Sequence, residues 1–172
     1  MAHQQAEIEP TTDAAALALI GAATFLETFA DVLPGMNIVS HCASQHSARA
    51  YADLLDTGAR AWLATLRNTG SAIGYAITAD PDLPIATTPA DLELKRIYLL
   101  SRFQGRGLGY ALLETATDFA ASAGATRLLL GVYENNHRAI TFYKAAGFNV
   151  IGRRAFQVGQ GTYDDLILGF DL

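Results

Sequence analysis

Cysteine is nearly absent from this sequence, in which Cys42 is the only thiol among 172 residues. A lone cysteine excludes an internal disulfide framework and is typical of the reducing cytoplasm, where we expect this protein to work. Cys42 lies in a polar stretch that we interpret as a loop without an activating group, so we expect no nucleophilic role for it. His41 and His46, in the same stretch, are five residues apart and lack metal-ligand spacing. The sequence therefore predicts no metal site.

Positive charge is also scarce, because 12 lysines and arginines stand against 17 aspartates and glutamates. The net charge of −5 argues against nucleic acid as a partner and favours a small cationic substrate. The apolar stretch of residues 14–26 is too short and too regularly patterned to cross a membrane. An acidic rather than basic segment precedes it, so we do not interpret it as a signal peptide. We expect no membrane partner.

The chain is long enough to bury one sizeable core, and neither a repeat nor a low-complexity linker divides it. We therefore predict a single domain over residues 1–172. Its apolar spacing predicts the element order β-α-α-β-β-β-α-β-α-β-β, a mixed α/β sheet. The first strand is predicted at residues 4–10, and the first helix after Asp13. Alternation in residues 91–100 is imperfect, which leaves room for a β-bulge there.

Residues 101–112, SRFQGRGLGYAL, place glycines on alternate positions between a predicted strand and a predicted helix. Such a turn is either an anion site made of bare backbone N–H groups or simply a tight connection. A Walker A loop is excluded because no Gly-Lys-Ser/Thr ending follows, and a dinucleotide fingerprint is excluded because Tyr110 replaces its last glycine. Gln104, Gly107 and Gly109 instead match Q-x-x-G-x-G. This motif resembles the acetyl-CoA-binding turn of the GNAT superfamily of N-acetyltransferases.

A second motif lies one predicted strand downstream, where Asn136, Ala139, Phe142 and Tyr143 give N-x-x-A-x-x-F-Y. It resembles the second signature of the same superfamily. The resemblance implies that Asn136 binds the pantetheine arm and that the Tyr143 hydroxyl lies near the thioester sulfur, as an acid for the departing thiolate. By itself, Tyr143 would be interpreted as a core residue of an amphipathic helix. With both motifs in register, the catalytic interpretation is favoured.

The segments FLETFADVLPG, ARAWLAT, LELKRIYLLSRFQGRGLG and DDLILGFDL resemble the PaiA-like branch of the superfamily, which is associated with polyamine acetylation. The resemblance implies acetyl-CoA as co-substrate, held where one strand splays from its parallel neighbour. The implied contacts are Ile97, Tyr98 and Leu99 for pantetheine and the acetyl carbonyl, and Gln104, Gly105, Arg106, Gly107, Leu108 and Gly109 for the pyrophosphate. Arg102 and Arg106 are either charge partners of the phosphates or solvated. Tyr98 either lines the acceptor pocket or packs in the core.

Glu93 is the predicted general base, because it lies 11 positions upstream of Gln104, where GNAT members with a strand glutamate carry theirs. A protonated amine must lose a proton, directly or through water, before it attacks the thioester. The alternative for Glu93 is a surface carboxylate at a strand edge. Glu27 and Asp31 are weaker candidates for the base. Together with Phe29 they are predicted acceptor contacts, because the superfamily covers its acceptor site with the segment between the first two helices.

The sequence thus predicts an acetyl-CoA-dependent N-acetyltransferase that transfers an acetyl group to a primary amine, with a polyamine or another small cationic amine as acceptor. Two alternatives stay open: a protein N-terminal acetyltransferase, and a GNAT module that binds acyl-CoA without turnover. The presence of both Glu93 and Tyr143 argues against the second alternative. A homodimer is a further expectation, since dimers are common in the superfamily.

Overall fold

The computed structural model describes residues 6–172, which form a seven-stranded sheet with helices on both faces. The strands are β1 Ala6–Thr11, β2 Arg60–Leu66, β3 Ala72–Ala79, β4 Asp91–Leu99, β5 Arg127–Tyr133, β6 Asn149–Val158 and β7 Gly161–Asp171. The helices are α1 Ala14–Phe29, α2 Gly35–Gln45, α3 Ala48–Asp56, α4 Leu108–Ser122 and α5 His137–Ala145, with a 3-10 turn at Ser101–Phe103. The strand order is β1-β2-β3-β4-β5-β7-β6, and the predicted mixed α/β fold is confirmed. The predicted first strand is β1, while positions 4 and 5 of that prediction lie outside the described residues.

Helix α2 corrects the predicted element order, because the stretch around Cys42 is a helix and the prediction of a loop is wrong. Residues 35–45 mix small polar and apolar side chains, and Ile38 is the one buried residue among them. The segment therefore has no apolar stripe of helical period that would have marked it. Burial raises the pKa of the Cys42 thiol, which keeps it protonated.

Apolar side chains cover both faces of the sheet. On one face, α4 and α5 pack over a core that includes Leu112 and Leu128. On the other face, α1 and α3 pack Leu17 and Tyr51 against Tyr75 of β3. Full burial of one such side chain contributes about 1.5–3 kcal/mol, so the two cores together hold the sheet in one arrangement. Across residues 6–172, none of the helices combines the length and the apolar character that a membrane crossing requires.

Strands β4 and β5 run parallel and are connected by the crossover helix α4. Their ladder pairs Asp91–Glu93 with Arg127–Leu129, and within the described chain it extends no further. The Arg127 guanidinium donates to both carboxylate oxygens of Asp91, at 2.7 and 3.0 Å, which fixes the closed end of the pair. At the opposite end, after Glu93 and Leu129, the two strands separate and leave a gap between them.

The predicted bulge is present in β4. Leu94 pairs with Thr78 of β3 and Arg96 pairs with Ile77, so Lys95 is an extra residue on β4. An inserted residue reverses the alternation of side chains beyond it, because successive residues of a strand point to opposite faces. The bulge thus decides which side chains of β4 face the gap.

Candidate active site

Two cavities open at the gap between β4 and β5. The first, named here the glycine-turn cavity, has a volume of about 610 Å³. It brings together nine of the predicted coenzyme contacts: Ile97, Tyr98, Leu99, Gln104, Gly105, Gly107, Gly109, Asn136 and Tyr143. The second, the Glu93 cavity, has a volume of about 520 Å³ and is lined by Glu93 and Phe29, with side chains from α1, α2 and β4 to β7.

The glycine turn contributes backbone amides to its cavity. Gly107 has φ +83°, a left-handed conformation that favours glycine, and it directly precedes α4. The first N–H groups of α4 have no partners within the helix, and such groups, together with the helix dipole, favour a negative charge at this position. Gln104 holds the turn in place, since its Nε2 donates to the Leu99 carbonyl at 2.8 Å.

Two predicted turn residues do not line the glycine-turn cavity with their side chains. Arg106 is exposed, and Leu108 is buried in the core under α4. The reason is the direction of the chain: the helix that starts at Leu108 turns this side chain towards the sheet. Arg138, on α5, lines the cavity instead, although its sequence position gave no sign of it.

Helix α5 places the second motif against the same cavity. Asn136 caps the helix, and its Oδ1 accepts a hydrogen bond from the Ala139 N–H at 3.2 Å. The amide nitrogen of its side chain is then the group available to a ligand. Tyr143 is 8% exposed, and burial raises the pKa of its hydroxyl well above the ordinary value. The hydroxyl is therefore protonated at neutral pH and is able to donate.

Glu93 is buried on a central strand, with 4% of its surface exposed, so it is not a carboxylate at a surface edge. Its Oε2 accepts from the Asp82 N–H at 2.8 Å and lies 3.3 Å from Lys95 Nζ. Both contacts hold the carboxylate in a fixed position. Within the described part of the chain, Oε1 has no such partner and is available to a proton donor.

The two cavities share part of their lining. Lys95, Arg96 and Tyr98 of β4 and Gly131 of β5 line both of them. These residues follow the point where the parallel ladder ends. Molecules bound in the two cavities would therefore meet at the gap. Tyr98, for which two interpretations were open, lines both cavities and also stacks with Tyr75, at 6.0 Å between ring centroids.

The predicted acceptor contacts are dispersed. Phe29 lines the Glu93 cavity, but Glu27 lines the glycine-turn cavity and accepts hydrogen bonds from Ser101 N and Oγ at 2.9 and 2.8 Å. Asp31 is exposed and lines neither cavity, because α1 ends at Phe29 and the chain then turns away. Glu27 thus holds the start of the 3-10 turn.

Sequence reasoning missed a buried polar chain beside the Glu93 cavity. His46 Nδ1 lies 2.8 Å from the Tyr51 hydroxyl, which in turn donates to the Tyr75 hydroxyl at 3.2 Å. Burial, with the nearby charges of Arg96 and His41, lowers the pKa of His46 to about 3. His46 is therefore neutral at pH 7. No local pattern marks such a chain, because its members come from separate elements.

Comparison with known proteins decides the family. Residues 26–148 match the model of the Acetyltransferase (GNAT) family. The chain belongs to the GNAT acetyltransferase family. An uncharacterised N-acetyltransferase of Mycobacterium tuberculosis is 34% identical over 157 residues, which cover 91% of this chain and 96% of the relative. The ribosomal-protein bS18 alanine N-acetyltransferase of Salmonella typhimurium is 38% identical over 72 residues, 41% of this chain and 49% of that protein.

The fold of this GNAT acetyltransferase also has solved counterparts. The PaiA N-acetyltransferase from Thermoplasma acidophilum, in complex with coenzyme A, matches with a TM-score of 0.76. The match covers 96% of this chain and 99% of that one at 19% identity, which is a likeness of fold. The predicted reaction class and co-substrate are confirmed: the chain is an N-acetyltransferase that uses acetyl-CoA, with a small amine or a protein as acceptor.

Proposed function

We propose that acetyl-CoA binds in the glycine-turn cavity and a primary amine in the Glu93 cavity, and that the acetyl group is transferred directly between them at the gap. The observation that carries this proposal is the shared lining, where Lys95, Arg96, Tyr98 and Gly131 border both cavities. Two reactants held side by side react faster because little translational freedom is left to lose.

In the proposed chemistry, Glu93 accepts a proton from the ammonium form of the substrate, directly or through water. The amine lone pair then forms the new N–C bond at the thioester carbonyl carbon. The resulting tetrahedral intermediate loses a second N–H proton to solvent water as the C–S bond breaks. Tyr143 donates a proton to the departing thiolate, and both side chains exchange protons with solvent before the next turnover. Backbone N–H groups of residues 97–99, beyond the end of the parallel ladder, polarise the carbonyl, and one such donor is worth about 3 kcal/mol.

The acceptor that we propose is a small amine. Phe25, Leu33 and Val158 are buried together where α1, α2 and β6 meet, and they close one side of the Glu93 cavity. A cavity closed in this way suits a small molecule better than a folded protein surface.

Membership of the PaiA-like branch, and polyamines as acceptors, stay predictions supported by the fold match. We also propose that residues 1–172 act as one domain, because β1 and β7 belong to the same sheet.

A protein N-terminus is the second candidate acceptor, favoured by the similarity to the bS18 alanine N-acetyltransferase. Both candidates enter one assay. Purified protein is incubated with acetyl-CoA and a panel of polyamines, aminoglycosides, amino acids and N-terminal peptides, and the products are identified by mass spectrometry. Acetylation of the small amines and not of the peptides is the expected result.

The double variant Glu93→Gln/Tyr143→Phe tests the catalytic roles. We expect turnover to fall by more than ~1000-fold, since general acid–base groups contribute 10²–10⁴-fold, while acetyl-CoA still raises the melting temperature. Glu114→Gln, which changes an exposed carboxylate on α4, is the matched control and keeps wild-type activity. Unchanged turnover in the double variant would contradict the roles. Wild-type protein that binds acetyl-CoA but acetylates no amine would favour the non-catalytic module.

A further inference from the structure

Arg96 is a charged side chain of the Glu93 cavity that the proposed transfer leaves unused. It lines the cavity together with Glu93 and Tyr98, on one face of β4. In a regular strand, residues three positions apart point to opposite faces, so Glu93 and Arg96 would be separated by the sheet. The bulge at Lys95 removes this separation. It thereby places a permanent positive charge in the cavity beside the predicted base.

The other two cations of the Glu93 cavity are paired with carboxylates. Lys95 Nζ lies 3.3 Å from Glu93 Oε2, and the Arg154 guanidinium lies 3.1 Å from Asp165 Oδ2. For Arg96, no carboxylate lies within 4.0 Å in residues 6–172. Its Nη1 donates to the Gln45 carbonyl at 3.1 Å, and its guanidinium carbon lies 4.9 Å from the centre of the Tyr51 ring.

The titratable neighbours of Arg96 do not compensate its charge. Burial, together with the charge of Arg96 itself, lowers the pKa of His41 and of His46. Burial raises the pKa of Tyr51, and it raises that of Tyr98 to about 12. All four side chains are therefore neutral at pH 7. Arg96 is therefore a cation of this cavity without a carboxylate partner among the described residues, and a bound substrate could supply that partner.

We propose that Arg96 binds a carboxylate of the acceptor, so that the acceptor is a free amino acid rather than a polyamine. The inference rests on the proposed function, because it requires the reacting amine to lie near Glu93. A guanidinium presents a planar set of N–H donors that matches a carboxylate, and donors beyond Nη1 are available for it. Two groups on one strand then fix both ends of the substrate: Glu93 takes the amine and Arg96 takes the acid.

The charge of the cavity agrees with a zwitterionic acceptor. Three carboxylates (Asp82, Glu93 and Asp165) and three cations (Lys95, Arg96 and Arg154) line it, so the acidic excess of the whole chain is not concentrated there. A polyamine has no carboxylate to offer Arg96. Two of the three carboxylates in this lining, Glu93 and Asp165, are already paired with cations, so several added positive charges would find little compensation. An amino acid carries one charge of each sign, as the two binding groups require.

The test compares pairs of acceptors that differ only in the carboxylate. Ornithine is paired with putrescine, lysine with cadaverine and phenylalanine with phenethylamine, and the amides of the same amino acids represent peptide N-termini. The readout is kcat/KM with saturating acetyl-CoA. We expect the amino acid to exceed its decarboxylated partner by ~100-fold, the usual scale for one buried charge-assisted contact. Its amide should behave like the decarboxylated amine.

Arg96→Gln is expected to reduce this preference to about threefold or less, while Arg96→Lys, which keeps the charge without the planar geometry, retains an intermediate preference. Arg49→Gln changes an exposed arginine paired with Asp53 on α3, and it should leave the preference unchanged. Melting temperatures of the variants report whether each is folded.

Three results would overturn the inference while leaving the acetyltransferase assignment intact. The first is equal or faster reaction of putrescine, cadaverine or the amides in the wild type. The second is an equal loss for both members of each pair in Arg96→Gln, which would indicate a purely structural role. The third is an undiminished preference in that variant. Failure to acetylate any amine of the panel is a different result, which overturns the proposed function and this inference with it.

Discussion

The glycine-turn cavity and the Glu93 cavity border the same gap, yet they differ in how their lining residues are distributed along the chain. The first is lined mainly by two short segments, residues 94–112 and 131–143, which include the glycine turn, together with Glu27 and Thr28 of α1. The second is made of single side chains from α1, α2 and four strands. A site of the first kind leaves a continuous pattern in the sequence, and a site of the second kind does not. The coenzyme half of the site can therefore be predicted from the sequence much better than the acceptor half.

The two cavities also differ in what can titrate. Backbone amides keep their hydrogens at every physiological pH, whereas the Glu93 cavity contains histidines and carboxylates in low-dielectric surroundings. We therefore expect the Glu93 cavity to be the part of the molecule that acid destabilises.

The largest effect is expected from pH acting on His46. Its pKa of about 3 in the folded protein lies below the ordinary 6.5, so between these values the unfolded chain binds a proton that the folded chain does not. Stability is full above this window and falls as the pH drops through it, by about 2 kcal/mol between about pH 6.5 and about pH 4.5. Urea unfolding at several pH values measures the loss.

His46→Gln removes the titrating group while keeping a side chain that can hydrogen-bond with Tyr51. We expect this variant to lose about 2 kcal/mol less than the wild type over the same range. His137→Gln, which changes an exposed histidine, should follow the wild type. Asp165, whose pKa burial raises, acts in the opposite direction in all three proteins and cancels from the comparison. Parallel pH curves for wild type and His46→Gln would show that acid acts elsewhere.

The same contrast explains what could be predicted from the sequence. Gln104, Gly107 and Gly109 form a turn whose spacing and chemistry are both local, so motif and structure agree. Glu93 was located through its distance from that turn. Arg96 was not found, because strict alternation would bury it in the opposite face and the bulge that reverses this depends on pairing with β3. Helix α2 was missed for a related reason, since tertiary contacts rather than an apolar stripe hold it.

The sheet was easier to predict than the acceptor side, because alternating apolar residues in a strand directly indicate which of its faces is buried. The correct element types from β2 to β7 follow from such patterns. The places of Glu27 and Asp31 do not, since they depend on where α1 ends relative to the gap.

A smaller effect is expected where the backbone of the glycine turn is altered. Gly107 and Gly124 both have φ +83°, one at the start of α4 and the other just after its end. Alanine at either position costs about 1–2 kcal/mol of stability, because a left-handed backbone strains an L-residue. Only Gly107→Ala should also weaken acetyl-CoA binding, by about tenfold, since relief of this strain moves the amides of the turn.

Gly124→Ala is the matched control for this prediction, because it carries the same strain with nothing within 4 Å of the added methyl group. Isothermal titration gives the affinity, and thermal melting gives the stability. Wild-type affinity in both variants would show that the turn amides do not bind the coenzyme. Weaker binding in both would assign the effect to loss of stability.

The smallest effect is expected from Arg106, whose position between the glycines made it a predicted phosphate contact. Its side chain is exposed and lines neither of the two cavities, whereas Arg138 of α5 lines the glycine-turn cavity. Because Arg106 lies outside this cavity and its charge is screened by solvent, Arg106→Gln should change the acetyl-CoA dissociation constant by less than about threefold. Arg138→Gln should weaken binding by about fivefold at low salt and less at high salt. A larger loss of acetyl-CoA affinity in Arg106→Gln than in Arg138→Gln would mean that a side-chain charge of the turn, rather than its backbone, holds the phosphates. The two cavities would then both depend on single side chains.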